Sequence, residues 1–203
     1  MNTRTVRWLG ALVALGGVLW GLSWIMSPSD HDANSQVEIW ASGVFQLGLL
    51  ALLAVMWDSR ATGTSRVARG FLAAEVVAVI LAFAWTVPYL FDANRATTGV
   101  LVVLDVFWPL SMAGLIVIGI LVARAAGWPS PLRYLPLAAS LLIPADIAVG
   151  WTPDEIRNGV MGVYLAASYG LLGLTLIRQA DQIEAHQNAH VKTVRDSRAR
   201  RVR

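Results

Sequence analysis

The sequence predicts an all-α polytopic membrane helix bundle, and three observations predict it. Hydrophobic residues make up 56% of the 203 positions and charged residues only 14%, against about 25% charged in a soluble domain. The apolar residues are gathered into runs of about 20, the length a helix needs to cross about 30 Å of hydrocarbon. Those runs are continuous rather than alternating, which argues against a transmembrane β-barrel. Six runs are expected as transmembrane helices, at about 6–26, 38–57, 70–91, 99–126, 132–150 and 156–177, followed by a basic tail at 178–203. The sequence contains no cysteine, so disulfides, thiolate metal sites and cysteine nucleophiles are excluded.

The first run follows Arg4 and Arg7. It is longer than a signal-peptide core of about 7–15 residues and no A-x-A-like site follows it, so a retained helix is expected. Gly17-x-x-x-Gly21 puts two glycines on one face, a spacing that lets helices approach closely, most simply within the bundle. The loop after it contains Asp30, His31 and Asp32 in a row, whose side chains diverge in an extended segment. A solvated loop is expected there, and no metal site.

The second run carries Ser42 and Gln46 on one face at i, i+4. The third has Glu75 within it and Trp85, Thr86, Pro88 and Tyr89 near its end. The fourth is the longest, with Asp105, Trp108 and Pro109 inside it, and Gly127-Trp128-Pro129-Ser130-Pro131 ends it, because proline cannot donate to the helix ladder. Pro136, Pro144 and Asp146 lie in the fifth. Thr152-Pro153-Asp154-Glu155 reads as a helix start with Thr152 as cap and Pro153 in the first position. The sixth run holds Tyr164 and Ser168. Beyond Arg178 the chain turns polar and basic. Its first part is expected to prolong the sixth helix, and its end to be disordered. His186 and His190 stand at i, i+4 there, but without a third ligand they predict no metal site.

Charge sets the expected orientation. With six spans and a cytoplasmic N-terminus, Arg95 and Arg157 are the only basic residues outside; the other 14 of 16 are inside, which is the positive-inside pattern. Both termini are then cytoplasmic. Eight of the nine tryptophans fall near expected span ends, as in an aromatic belt. Trp108 is the exception.

Acids within apolar spans cost roughly 2.5–3.5 kcal/mol on insertion scales and usually face a bundle interior or water. Asp105 and Asp146 are expected about 9 Å or less below the outer edge, at 1.5 Å per residue, on consecutive antiparallel helices. With Trp108, Tyr89, Gln46 and Tyr164 they form an expected outward-facing polar vestibule for a ligand, ion or proton, with Asp105 and Trp108 turned inward together. Alternatively, Arg95 and Arg157 pair with the acids as structural ion pairs. Glu75 lies towards the inner edge, apart from that set.

No catalytic motif is present: H-E-x-x-H, G-x-S-x-G, P-loop and G-x-G-x-x-G are all missing. No cofactor is expected and an enzyme is not the favoured reading. The Arg-rich tail lacks a nucleic-acid-binding module, so its expected partners are anionic lipid headgroups. The bilayer is the principal partner, and a homo- or hetero-oligomer is compatible with the sequence. A non-enzymatic binding, sensing or accessory subunit is the favoured function. The alternative is a small-solute or proton-coupled transporter using intramembrane carboxylates.

The stretches WLGALVALGGVLWGLSW, RYLPLAASLLIP and GLLGLTLIR before a basic tail resemble the small six-span integral membrane proteins of actinobacteria. The resemblance implies a multi-pass protein of a bacterial plasma (inner) membrane and carries over no activity and no functional residue.

Overall fold

The computed structural model describes residues 1–26 and 36–185. Residues 27–35, with His31, and residues 186–203, with His186 and His190, lie outside the described residues, as do the readings attached to them. Among the described residues the protein is all-α, without strands. Three long helices come first: α1 (Thr3–Met26), α2 (Gln36–Ser59) and α3 (Arg66–Tyr89). A short α4 (Val100–Asp105) runs into α5 (Phe107–Ala125). A 3₁₀ turn at Leu132–Tyr134 leads to α6 (Leu135–Ser140) and α7 (Leu142–Val149), and α8 (Asp154–Arg178) is the last long helix.

Five segments are long and apolar enough to cross a membrane, with α4 and α5 together as one of them. The turn with α6 and α7 makes a sixth if the pair, bent by 45°, is taken as one span. The continuous fifth helix expected at 132–150 is therefore broken, and proline explains where. Pro144 has no N–H to donate to the carbonyl of Ser140 and its ring crowds that carbonyl, and the break falls at Leu141. The fourth run stays one span with a single-residue interruption in the same register: Pro109 leaves the carbonyl of Asp105 without its helical donor, and Val106, still helical in φ and ψ, separates α4 from α5. Pro88 does less harm, because α3 ends one residue later.

The helices form a closed ring in the order α1, α2, α3, α5, α6, α8 and back to α1. The α1–α8 seam is the most extensive. Side chains directed into the ring make one core, including Phe45, Leu49, Met112, Ile118, Leu165 and Tyr169. Outward, every long helix exposes large apolar side chains, among them Leu15, Leu47, Ile80, Ile120 and Leu171. A water-facing bundle would carry polar residues there.

The helix ends are chemically distinct. Ser65 caps α3 by accepting a hydrogen bond from the Ala68 N–H at 3.1 Å. Thr152 does not cap α8 as expected. Its hydroxyl donates back to the Val149 carbonyl at 2.7 Å, and the acids Asp154 and Glu155 occupy the first turn of α8, where the helix dipole favours them. Ala126 at φ 50° ends α5 in the left-handed region.

At the end of the bundle where α1 starts and α8 finishes, the chain places Arg4, Arg7, Arg60, Arg66, Arg69, Arg124, Arg133 and Arg178; this is called the basic end below. A short helical continuation of α8 folds against α1 there. Arg7 pairs with Asp181 at 2.9 Å. The Thr3 hydroxyl and then its backbone N–H donate to Glu184 and hold that carboxyl below the usual carboxylate range. The Trp128 indole N–H donates to Ser59 Oγ at 2.9 Å, tying the α5–α6 connection to the end of α2.

Candidate functional site: a buried carboxyl group in the bundle

Leu72, Glu75, Val79, Ala82 and Thr86 recur at alternating steps of three and four along α3, and all are buried. That spacing makes one inward stripe. Glu75 is therefore carried into the ring by the same face that packs its apolar neighbours. It is 5% exposed and lies about 14 Å from the first residue of α3 at 1.5 Å per residue.

Across from it, α5 supplies Gly114. A Cβ at Gly114 would stand 1.9 Å from Oε2 of Glu75, so the carboxyl group lies against bare α5 backbone. Oε1 is buried and has no hydrogen-bond partner among the described residues. Tyr169 on α8 is fully buried in the same core. Its ring meets Phe45 of α2 edge-on, with centroids 4.7 Å apart. The next residue on α2 is Gln46, 3% exposed, whose Oε1 also lacks a partner. Ser111, one turn before Gly114 on α5, is fully buried and donates to the Trp108 carbonyl at 2.9 Å.

An ionised carboxylate in such a place has lost its hydration without gaining a cation or donors, a cost of several kcal/mol. The chemistry open to it is to take up a proton or to bind a cation. Calcium-like and magnesium-like sites need several oxygens, and among the described residues no three His, Asp or Glu side chains cluster. A single carboxyl group on bare backbone fits a proton best.

The expected vestibule residues are placed differently. Asp105 is exposed at the end of α4 and has no hydrogen bond or ion pair among the described residues. It does not turn inward, although Trp108 three residues on is half-buried. Trp108 is half-buried and packs edge-on against Trp20, centroids 5.4 Å apart, and near Phe45. Asp146 is held by Arg157: Nε to Oδ1 at 2.7 Å and Nη2 to Oδ2 at 2.6 Å. This two-pronged pair joins α7 to α8 near their connection. Tyr89 is buried, packs against Trp85 and bonds Thr97 through its hydroxyl, fixing the α3–α4 connection. Tyr164 donates to the Ala138 carbonyl and braces α6 against α8. So Tyr89, Tyr164 and Asp146 brace connections, while Gln46 is buried with its Oε1 unpartnered among the described residues. Glu75, expected to stand apart from the main set, is the central group. Tyr169, Ser111 and Gly114 were not among the expected site residues. The three–four stripe through Glu75 was the signal that pointed inward.

The Asp146–Arg157 pair is partly exposed, with side chains 27% and 32% accessible. Such pairs contribute about 1 kcal/mol or less. A double-mutant cycle with Asp146→Asn and Arg157→Gln, read by denaturation in detergent, is expected to give a coupling of about that size. A coupling above about 3 kcal/mol would mark a dry, buried pair instead.

No protein family, no curated protein and no solved structure matches the chain, so the functional reading rests on the geometry.

Proposed function

We propose that this is a multi-pass protein of a bacterial plasma membrane, with six spans and both termini cytoplasmic, and that it is a non-enzymatic binding or sensing subunit whose working group is Glu75. In this reading the Glu75 carboxyl takes up and releases a proton inside the bundle, and the tail from Arg178 meets anionic lipid headgroups. The observation that carries it is the burial of Glu75 on α5 backbone with an unpartnered oxygen. Intramembrane ionisable groups without a structural partner are where ion and proton chemistry concentrates. The excess of basic residues at one end supports the orientation.

A hydrophobic carbodiimide tests the reading, because it reacts with protonated carboxyl groups in apolar surroundings. Labelling of membranes near neutral pH followed by peptide mass spectrometry is expected to place the adduct on Glu75. Glu75→Gln should lose it, while Asp146→Asn should keep it. Absence of any adduct on Glu75 would reject the proposal.

The second reading is proton-coupled transport of a small solute, and the segment bent by 45° at Leu141 favours it. Discontinuous helices are how many transporters expose backbone to a substrate. Proteoliposomes with an internal pH dye distinguish the two: transport requires solute-dependent proton flux that Glu75→Gln abolishes.

A further inference from the structure

Towards the basic end, a groove of about 600 Å³ lies between α2 and α3. Pre-formed ligand sites fall in the range of about 300–1,000 Å³. Leu50, Leu53, Ala54 and Trp57 form one wall and Ala73 and Val76 the other, with Met1 and Asp58 at its end. The groove wall is apolar for about 10 Å along α2, from Leu50 to Trp57, at 1.5 Å per residue.

Arg66, Arg69, Ala73 and Val76 follow one another at steps of three, four and three, so both arginines continue the groove face of α3 towards the basic end. Both are exposed. The Arg69 guanidinium lies over the Trp57 ring, 4.7 Å from its centroid, which fixes it beside the groove wall. Asp58, at the end of the groove, is paired with the Met1 ammonium at 2.6 Å. An apolar slot ending in two arginines matches one kind of molecule: an acyl chain that ends in a phosphate. Guanidinium groups bind phosphate oxygens in pairs.

We propose that this groove is a binding site for one anionic phospholipid of the leaflet at the basic end. An acyl chain lies along Leu50, Leu53 and Val76, and the phosphate sits between Arg66 and Arg69. The site rests on the membrane reading above but not on Glu75.

The test is native mass spectrometry of the full chain in mild detergent, titrated with phosphatidylglycerol and, separately, phosphatidylcholine. One phosphatidylglycerol should be retained in preference to phosphatidylcholine. Arg66→Gln and Arg69→Gln should each lower that preference by about fivefold, the worth of one basic residue at an anionic lipid surface. Ala73→Trp, which fills the slot, should lower occupancy by both lipids. Arg124→Gln removes an exposed arginine at the same end, on α5, and should change nothing. Equal losses from Arg124→Gln and Arg69→Gln would show diffuse attraction to a basic surface and overturn the site. So would full retention in Ala73→Trp. Carbonate extraction of membranes separates the two readings, since a chain released by carbonate fails the membrane reading irrespective of lipid binding.

Discussion

Gly162→Val and Gly173→Val should each unfold the bundle, whereas Gly159→Val on the same helix should leave it intact. α1 and α8 touch through backbone. A Cβ on Gly162 would stand 2.4 Å from the Gly21 carbonyl oxygen, and one on Gly173 would stand 2.4 Å from the Gly10 carbonyl oxygen. Neither obstacle is a side-chain tip that can rotate away. To admit a side chain the two helices must separate, and with them goes the most extensive seam in the ring. Overpacking a core ordinarily costs about 1–3 kcal/mol. Here the displaced atoms are main chain on both sides, so a loss at or above the top of that range is expected. Around Gly159 nothing lies within 4 Å of the added carbon, and only helix propensity changes, by about 1 kcal/mol at most. Thermal unfolding in detergent, followed by circular dichroism, reads all three variants. A Gly173→Val protein that melts with the unsubstituted chain would show that the helices do not approach this closely. Combining Gly10→Val with Gly173→Val should cost less than the two singles together, because the gap opened by one admits the other.

Gly17 and Gly21 were legible in the sequence as one small-residue face, but their partner was not. A spacing of four says that some backbone comes close; it does not say which. The partners are Leu165 and Tyr169 against Gly17, and Gly162 and Ala166 against Gly21, on a helix that begins more than a hundred residues later. The apolar runs located the helices for a simple reason: length and continuity are local properties. The prolines also showed in the sequence, yet their consequence depends on register. Pro109 and Pro144 each interrupt the ladder three residues upstream, at Val106 and Leu141, yet only the second interruption bends its span, by 45°. The 3.6-residue period put Asp105 and Trp108 on one inward side, but Asp105 is exposed and Trp108 half-buried. Asp146 had two readings on the page, a vestibule acid or an ion pair with Arg157. Only the approach of α7 to α8 places the guanidinium on it. Glu75 shows the opposite case. Its depth from one end of a span set it apart from the other acids, while the stripe Leu72-Glu75-Val79-Ala82-Thr86 already faced it inward. Gly114, on which it rests, was invisible because a glycine announces an approach only when its neighbour is known.

The contact between Glu75 and Gly114 makes a prediction that does not depend on what the carboxyl group does. Gly114→Val should destabilise the chain strongly, since the added carbon falls on Oε2 of Glu75 and the carboxyl group has bare α5 backbone on one side and the packed core on the other. Shortening the partner should relieve it. In a Glu75→Ala background the same Gly114→Val change should cost less, with a coupling of about 1–3 kcal/mol, the range found for residues in direct contact. Glu75→Ala alone leaves a cavity but also removes an unsatisfied buried oxygen, and those effects oppose each other. Its cost should therefore fall below the roughly 2–5 kcal/mol of an apolar large-to-small change. Glu75→Lys should be the worst variant at this position. It puts a longer side chain where there is no room and a positive charge where no acid pairs with it among the described residues, at a cost of several kcal/mol. Unfolding by denaturing detergent gives all four stabilities. If Gly114→Val costs the same with glutamate and with alanine at position 75, the carboxyl group does not rest on α5. Its unpartnered oxygen must then face something other than the helix backbone, and the case for a proton held there loses its geometry.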